Sequence, residues 1–156
     1  MQNIQIDSRE KSRAIRKIIN EFERQGIHHY VSKLYVGDYM NPDNPRVIVD
    51  RKQNLSEVYG NVCHQHERFV DEINRARKAG IRLIFLIEHG GKIVSLESIK
   101  DWYNPRLKVS PYAWNGPRLY KTLLTIKSKY GVEFEFCRKA DTGQKILELL
   151  GGKAGD

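Results

Sequence analysis

The sequence predicts an α/β domain in which helices flank a central mixed β-sheet, and three observations carry that prediction. Stretches that alternate apolar and polar residues, as strands do, are interspersed with stretches whose apolar residues recur at helical spacing. The segment 81–88, "IRLIFLIE", is apolar almost throughout, which is typical of a strand covered on both faces of its sheet. The turn "NPDNP" separates two early strands and indicates that they pair as an antiparallel hairpin.

The first half of the chain begins with a predicted strand, "NIQID", whose alternation turns Ile4 and Ile6 inward. A helix is predicted over 11–25 and ends at Gly26. "HHYVSKLYVGDYM" contains one or two strands, and "RVIVDRK" is the strand after the proline turn. Apolar residues at helical spacing then predict one long helix over 56–79.

The second half contains the least regular segment, 89–117, which holds three of the five prolines. We expect it to be a loop-rich excursion over the sheet, with one short helix capped by Ser95. "RLYKTLLTIKSKY" is amphipathic, "VEFEFC" alternates as a strand, and "DTGQKILELL" is predicted to be the last helix. The domain is expected to span 1–150, with 151–156 as a frayed tail.

The charge of the chain favours a polyanionic partner. Its 156 residues, the length of one domain, include 27 Lys and Arg against 19 Asp and Glu, a formal net charge of +8. Each basic side chain placed on a phosphate releases counterions, so an excess of this size favours nucleic acid. Solubility alone could also account for it.

The sequence carries no pattern for a membrane or for export. The longest apolar run, "IRLIFLI", has the length of a strand, and "MQNIQIDSREK" lacks the basic and then apolar regions of a signal peptide. Cys63 and Cys137 show no spacing pattern, which is typical of a reducing compartment. We therefore expect no membrane contact and a cytoplasmic, nucleoid-associated protein in a bacterium or phage-infected cell, or a nuclear one in a eukaryote.

Charged clusters lie at the ends of three predicted strands: "DSRE" at 7–10, "GDY" at 37–39 and "DRK" at 50–52. Strand alternation places Asp50 and Lys52 on one face of the sheet and Arg51 on the other. Each cluster by itself could be a cap or a structural ion pair. Neighbouring strand ends lie about 5 Å apart, however, so the acids of all three clusters could converge.

Converging carboxylates would need a cation. Close carboxylates raise one another's pKa values, and Mg²⁺, which prefers oxygen ligands, often binds two of them together with water and phosphate oxygens. Lys52, on the strand face of Asp50, could then orient or deprotonate a water molecule, or neutralise the charge that develops on a phosphate.

The ordered set "DSRE", "LYVGDY", "VDRK" and "QHERF" resembles the nuclease domain of XPF-type structure-specific endonucleases, including the archaeal Hef nuclease, in the PD-(D/E)XK superfamily. The family pattern is Asp-x-Arg-Glu, Gly-Asp-Tyr, Glu-Arg-Lys and then a helix that carries Gln and Arg. The resemblance continues through "RLIFLIE" and "GPRLYKTLLTIKSKYGVEFEF", so it covers nearly the whole chain. It implies a restriction-endonuclease-like core.

The resemblance also implies a metal-dependent DNA endonuclease that hydrolyses phosphodiester bonds in branched or structured DNA during repair, recombination or replication. The implied metal ligands for Mg²⁺ or Mn²⁺ are Glu10, Asp38 and Asp50, and no nucleotide cofactor is implied. The implied catalytic set is Asp7, Arg9, Glu10, Asp38, Asp50, Arg51 and Lys52. Gln65 and Arg68 are expected to contact DNA phosphate, although Arg68 could instead pair only with Glu72 four residues on.

The sequence departs from the family pattern in two ways. Position 50 is Asp where the family has Glu, so the carboxylate is one methylene shorter and the metal would lie closer to the strand. The chain lacks the tandem helix–hairpin–helix module and the helicase of larger members, so we expect a stand-alone nuclease domain. Two alternatives to a flap or fork endonuclease are a non-catalytic DNA-binding scaffold and a Holliday-junction resolvase.

Two further features are open to functional interpretation. The apolar stripe of the helix over 119–130 is wide, and with the resemblance it predicts a homodimer formed through 119–136. Four aromatic residues cluster in the irregular segment, where they could pack the loop or stack on unpaired bases: Trp102, Tyr103, Tyr112 and Trp114.

Overall fold

The structure, a computed structural model, describes residues 2–151 and is built on one six-stranded sheet. Its strands are β1 (Asn3–Ile6), β2 (His28–Val31), β3 (Tyr39–Asn41), β4 (Asn44–Lys52), β5 (Arg82–Glu88) and β6 (Glu133–Cys137). They lie in the order β2-β1-β3-β4-β5-β6. The pairs β1–β2, β4–β5 and β5–β6 are parallel, whereas β1–β3 and β3–β4 are antiparallel, which confirms the predicted mixed sheet.

Within residues 2–151, five α-helices cover the two faces of the sheet: α1 (Arg16–Arg24), α2 (Leu55–Cys63), α3 (His66–Lys78), α4 (Gly116–Tyr130) and α5 (Thr142–Leu150). Three short 3-10 helices add to them, at Glu97–Asp101, Pro105–Lys108 and Lys139–Asp141. Helices α1 and α5 pack on one face, and α2, α3 and α4 pack on the other. No helix within residues 2–151 is both long enough and apolar enough to cross a membrane.

Strand β5 explains why there are two cores. Leu83, Phe85 and Ile87 point to the face covered by α2, α3 and α4, whereas Ile84 and Leu86 point to α1 and α5. All five side chains are buried, and each contributes roughly 1.5–3 kcal/mol by leaving water. The predicted strand with both faces covered is therefore confirmed, and it anchors the neighbouring strand β4 in the middle of the sheet.

The structure corrects two predicted helix boundaries and confirms the hairpin. The single helix predicted over 56–79 is wrong: the chain forms α2 and α3, separated at His64 and Gln65, whose N–H groups both donate to the Gly60 carbonyl. The first helix begins at Arg16 rather than at 11. Strands β3 and β4 pair as the predicted hairpin, with an irregular register at Met40 and Asn41. The predicted tail beyond Gly151 lies outside the described residues.

Candidate active site

The site lies at the C-terminal end of β4, the strand that pairs with β3 on one side and with β5 on the other. Asp38, just before β3, is held there by its backbone, because its N–H donates to the Val49 carbonyl at 2.9 Å. Its side-chain Oδ2 in turn accepts the Arg51 N–H at 2.8 Å. Gly37 makes this approach possible: its φ is +70°, and a Cβ there would clash with the Ile48 side chain. Asp38 is thereby fixed beside the strand that carries Asp50.

On the face covered by α3, Asp50 and Lys52 lie together as the strand alternation predicts. The Lys52 Nζ is 3.3 Å from the Asp50 Oδ1, and both residues are buried. The same ammonium lies 5.8 Å from the Phe69 ring and 5.6 Å from the Phe85 ring, so aromatic faces limit its movement. The lysine ammonium therefore lies between the Asp50 carboxylate and two aromatic rings.

Glu72 of α3 completes this group, and the sequence analysis did not place it in the site. Asp50 lies close enough to raise the pKa of the Glu72 carboxyl group, whose Oε2 accepts the Gly37 N–H at 3.3 Å. The sequence analysis considered Glu72 only as an ion-pair partner of Arg68. No Arg68–Glu72 ion pair is present in the described part of the chain; Glu72 faces the strand ends instead.

The carboxylates on this face are not fully neutralised. Burial, with the nearby charges of Asp50 and Glu10, raises the pKa of Asp38 well above its usual value. Burial and the interaction with Asp50 raise the pKa of Glu72 to about 8. Burial lowers the pKa of Lys52, but the surrounding carboxylates, Asp50 first, outweigh that effect, and the net pKa is raised. The site is therefore short of positive charge.

The donor set fits a hydrated divalent cation. Within residues 2–151, no three His, Cys, Asp or Glu side chains form a ready-made metal cage. Magnesium seldom uses such cages, since it keeps several waters and binds one or two carboxylates together with substrate phosphates. Asp38 and Asp50 supply hard oxygen ligands of this kind, and a cation would offset both the burial and the repulsion that raise the pKa of Asp38.

The opposite face of the strand end has a different arrangement, centred on Arg51. Its Nε donates to the Glu10 Oε2 at 2.8 Å and its Nη1 to the Glu88 Oε1 at 2.6 Å. Glu10 also accepts the Tyr39 hydroxyl at 2.8 Å, and Glu88 accepts the Thr142 hydroxyl at 2.6 Å. Both predicted site residues, Glu10 and Arg51, are thus held in a closed network, and the predicted metal role of Glu10 stays a prediction.

Asp7 and Arg9 form a unit at the edge of the site. Asp7 is fully buried, and its carboxylate accepts the Leu34 N–H at 2.8 Å and the Arg9 Nε–H at 2.7 Å. Burial alone would raise the pKa of Asp7, but these hydrogen bonds and the Arg9 charge lower it overall. The Arg9 side chain is 64% exposed. Asp7 therefore orients Arg9 toward solvent.

A cleft opens from the site along α3. Lys52 lines it together with Gln65 and Arg68, the two residues predicted to contact DNA phosphate. Its wall includes Arg9, Lys52, Asn61, Gln65, Arg68, Phe69, Asp71, Glu72 and Arg75. Gln65 and Arg68 are exposed at its rim. Asn61, which the sequence analysis missed, has a buried Oδ1 with no hydrogen-bond partner among the described residues. An unsatisfied acceptor in a cleft suggests a donor supplied by a ligand or by water.

Helical spacing gives a partial signal for one of the two missed residues. Glu72 follows Arg68 by four positions in α3, so it lies on the same side of that helix as a residue already predicted to face the site. Asn61 lies in α2, before the break at His64 and Gln65, so spacing along a single helix over 56–79 could not place it relative to Gln65.

Comparisons with known proteins identify the domain family and the fold. The family profile of the ERCC4 domain matches residues 6–150. The solved structure of XPF from Aeropyrum pernix is 19% identical, with a TM-score of 0.67 over 99% of this chain and 67% of that one. XPF from Aeropyrum pernix in complex with DNA is 16% identical, with a TM-score of 0.66 over 99% of this chain and 66% of that one.

The chain thus spans about two thirds of the length of these XPF structures, and no curated protein sequence matches it. The likeness to XPF is one of fold, with the same mixed sheet flanked by helices. The match to the domain profile covers almost every described residue, from the end of β1 to the last residue of α5. The chain belongs to the ERCC4 domain family and has the α/β fold of the XPF nuclease.

Proposed function

We propose that the chain is a divalent-metal-dependent endonuclease that hydrolyses phosphodiester bonds in branched or structured DNA. Membership of the ERCC4 domain family and the XPF fold support a structure-specific DNA nuclease. The single observation that supports the metal-dependent activity is the cluster of three acids, Asp38, Asp50 and Glu72, around Lys52, in which the pKa values of Asp38 and Glu72 are raised and from which Lys52 and Glu72 line a cleft. Buried titratable groups with shifted pKa values in a cleft are typical of catalytic sites.

In this proposal Asp38 and Asp50 hold Mg²⁺ or Mn²⁺. The cation supplies Lewis-acid polarisation of the scissile phosphate and lowers the pKa of bound water. The Lys52 ammonium lies beside these two acids, 3.3 Å from the Asp50 Oδ1. It stabilises the negative charge that develops on the phosphate rather than removing a proton from water. Asp50, 3.3 Å from the Nζ, positions that ammonium.

The cleft provides the proposed DNA contacts. Arg9, Gln65, Arg68 and Arg75 line it together with Lys52, so a phosphate backbone lying along α3 would meet donors before it reached the carboxylates. Asp7 positions Arg9 through the 2.7 Å bond to its Nε. The net charge of +8 adds long-range attraction for any nucleic acid.

A homodimer formed through 119–136 remains part of the proposal. Leu119, Leu123 and Ile126, the stripe that predicted it, are buried in this chain's own core. The large apolar side chain that α4 leaves exposed is that of Leu124, which is 42% exposed. Strand β6, which follows α4 in the chain, is an edge strand of the sheet. An edge strand with an exposed apolar neighbour can pair with a second copy. Two intact sites in such a dimer would suit the Holliday-junction alternative.

The testing experiment incubates the protein with labelled duplex, single-stranded, flap, fork and four-way-junction DNA in Mg²⁺, Mn²⁺ or EDTA. We expect metal-dependent cutting that Asp38→Asn lowers by about 10³-fold or more, with DNA binding largely kept. Mg²⁺ should also raise the Tm of the wild type but not that of Asp38→Asn, because a ligand stabilises the state that binds it.

Asp101→Asn serves as the matched control, since Asp101 is an exposed acid outside the cleft. It should cut at the wild-type rate. Full cutting by Asp38→Asn would refute the proposed site. Binding of DNA without cutting in either metal would instead support the non-catalytic scaffold, and a marked preference for four-way junctions would support the resolvase.

A further inference from the structure

A second depression in the surface lies on the other side of α2 from the catalytic cleft, and we call it the α2 groove. Its lining includes Tyr59, Gly60 and His64 of α2 and Pro105, Arg106 and Val109 of the irregular segment. Val109 is 74% exposed and His64 and Arg106 are exposed, although Tyr59 beneath them is buried. The groove thus combines a largely apolar floor with polar groups at its edges.

The charge of the α2 groove suits an anion with an apolar part. None of the described residues that line it is acidic, and Arg106 is the cation at its rim. Lys108 lies two residues further on, and Arg118 packs on the Trp114 ring at 4.5 Å, next to Tyr59. A single nucleotide has this dual character, since the flat base is apolar on its faces and the phosphate is charged.

Gly60 is a second, independent observation. It lies inside α2, where glycine lowers helix stability relative to alanine, yet a Cβ at this position would meet nothing within 4 Å. None of the described residues packs so closely here that glycine is required. Gly60 lines the α2 groove, so the missing side chain leaves room for a ligand to approach the backbone of α2 closely.

Helix α2 connects the groove with the catalytic cleft. Ser56, Gly60 and His64 recur every four residues on the groove side, and Asn61 and Gln65 recur on the cleft side. A DNA strand that leaves the cleft needs to cross only one helix to reach the groove. We propose that the α2 groove binds an unpaired nucleotide of a single-stranded arm next to the cleaved duplex. This proposal rests on the proposed nuclease function.

The shape of the groove favours an unpaired nucleotide over duplex DNA. A duplex presents phosphates to a protein surface and keeps the faces of its bases stacked inside, so it cannot use an apolar floor. An unpaired base can stack on the His64 imidazole or lie against Pro105 and Val109, while Arg106 takes its phosphate. The groove would then select DNA in which duplex and single strand meet.

The test measures binding by fluorescence anisotropy in EDTA, so that no DNA is cut. The probes are a blunt duplex and the same duplex with an oligothymidylate arm that carries 2-aminopurine at its first unpaired position. Gly60→Leu fills the groove, and Arg106→Gln removes its cation. Gly60→Ala adds only a methyl group in open space and favours the helix, so it reports on the groove without endangering the fold.

We expect the wild type to bind the armed duplex about tenfold more tightly than the blunt one and to change the 2-aminopurine fluorescence. Gly60→Leu and Arg106→Gln should lose that preference and that signal while they bind blunt duplex normally. Gly60→Ala should show an intermediate loss and a raised Tm. Gly90→Ala is the matched control, since its new methyl group also meets open space but lies outside the groove.

The outcomes separate this proposal from the nuclease function on which it rests. Equal affinity of wild type and Gly60→Leu for the armed duplex, with cutting intact, would overturn the groove proposal alone. Equal losses on both probes would also overturn it, because the groove would then hold duplex backbone. Failure of the wild type to bind either probe or to cut any DNA would overturn the nuclease function itself.

Discussion

The two faces of the C-terminal end of β4 can be compared directly, because each holds buried or half-buried acids around one basic side chain. Facing α3, Asp38, Asp50 and Glu72 surround Lys52. Facing α1 and α5, Glu10 and Glu88 flank Arg51, and the hydroxyls of Tyr39 and Thr142 add hydrogen bonds. Adjacent residues of one strand therefore supply two charge clusters of similar composition.

The two clusters differ in how completely their charges are satisfied. The guanidinium of Arg51 donates to both of its acids, and each acid accepts a second hydrogen bond from a hydroxyl group. Near Lys52, burial and neighbouring carboxylates instead raise the pKa values of Asp38 and Glu72, and Lys52 and Glu72 line an open cleft. A satisfied cluster stabilises the fold, whereas an under-neutralised one at the surface retains capacity for a cation or a ligand.

The largest effect that we expect is a loss of stability when Arg51 is replaced. Arg51→Ala should lower the free energy of unfolding by about 3–5 kcal/mol, because it leaves Glu10 and Glu88 buried and unpaired. Urea denaturation followed by circular dichroism measures the loss.

Arg82→Ala is the control for Arg51→Ala, since Arg82 pairs with Glu133 on the surface and its side chain is half exposed. It should cost less than about 1 kcal/mol. Comparable losses in the two variants would mean that the Arg51 network does not stabilise the fold as argued.

The alternation of β4 was enough to predict this division from the sequence. It placed Asp50 and Lys52 on one face and Arg51 on the other, and the structure has that arrangement. The resemblance to XPF-type nucleases selected the other acids, since spacing alone left each of them open to a structural explanation. The partners of Arg51 could not be predicted, because Glu10 and Glu88 lie 41 and 37 positions away.

Glu72 shows what the sequence could not provide. Helical spacing relates Glu72 to Arg68 on one helix, but it does not say which side of that helix faces the sheet. That orientation depends on the break at His64 and Gln65 and on the packing of Phe69 against Phe85 at 4.9 Å between ring centroids. Tertiary packing, rather than local spacing, places Glu72 against Asp50.

A smaller effect is expected in the Lys52 cluster, where Glu72 should make the stability of the fold depend on pH. The pKa of Glu72 is about 8 in the folded protein and 4.5 as an ordinary carboxyl. Its neutral form therefore favours folding below about pH 4.5, and that stability is lost as the pH rises through 8. In EDTA, the free energy of unfolding of the wild type should fall by roughly 3 kcal/mol between pH 5 and pH 8 relative to Glu72→Gln.

Urea denaturation at several pH values measures this difference, and Glu67→Gln, an exposed acid on the same helix, is the control. Glu67→Gln should follow the wild-type pH dependence. Parallel curves for wild type and Glu72→Gln would show that the carboxyl group of Glu72 is not strained in the metal-free protein.

The smallest effect concerns the rim of the cleft, where Arg68 is exposed and makes no ion pair within the described chain. Arg68→Ala should weaken DNA binding about equally for every sequence and lower the slope of log affinity against log salt by about 1, since one phosphate contact is lost. Lys78→Ala, at the exposed end of the same helix and outside the cleft, should leave the slope unchanged. Because both substitutions remove one positive charge, a change of slope in Arg68→Ala alone would locate the DNA backbone in the cleft rather than in the general field of the protein. Equal slopes in both variants would remove Arg68 from the DNA contact.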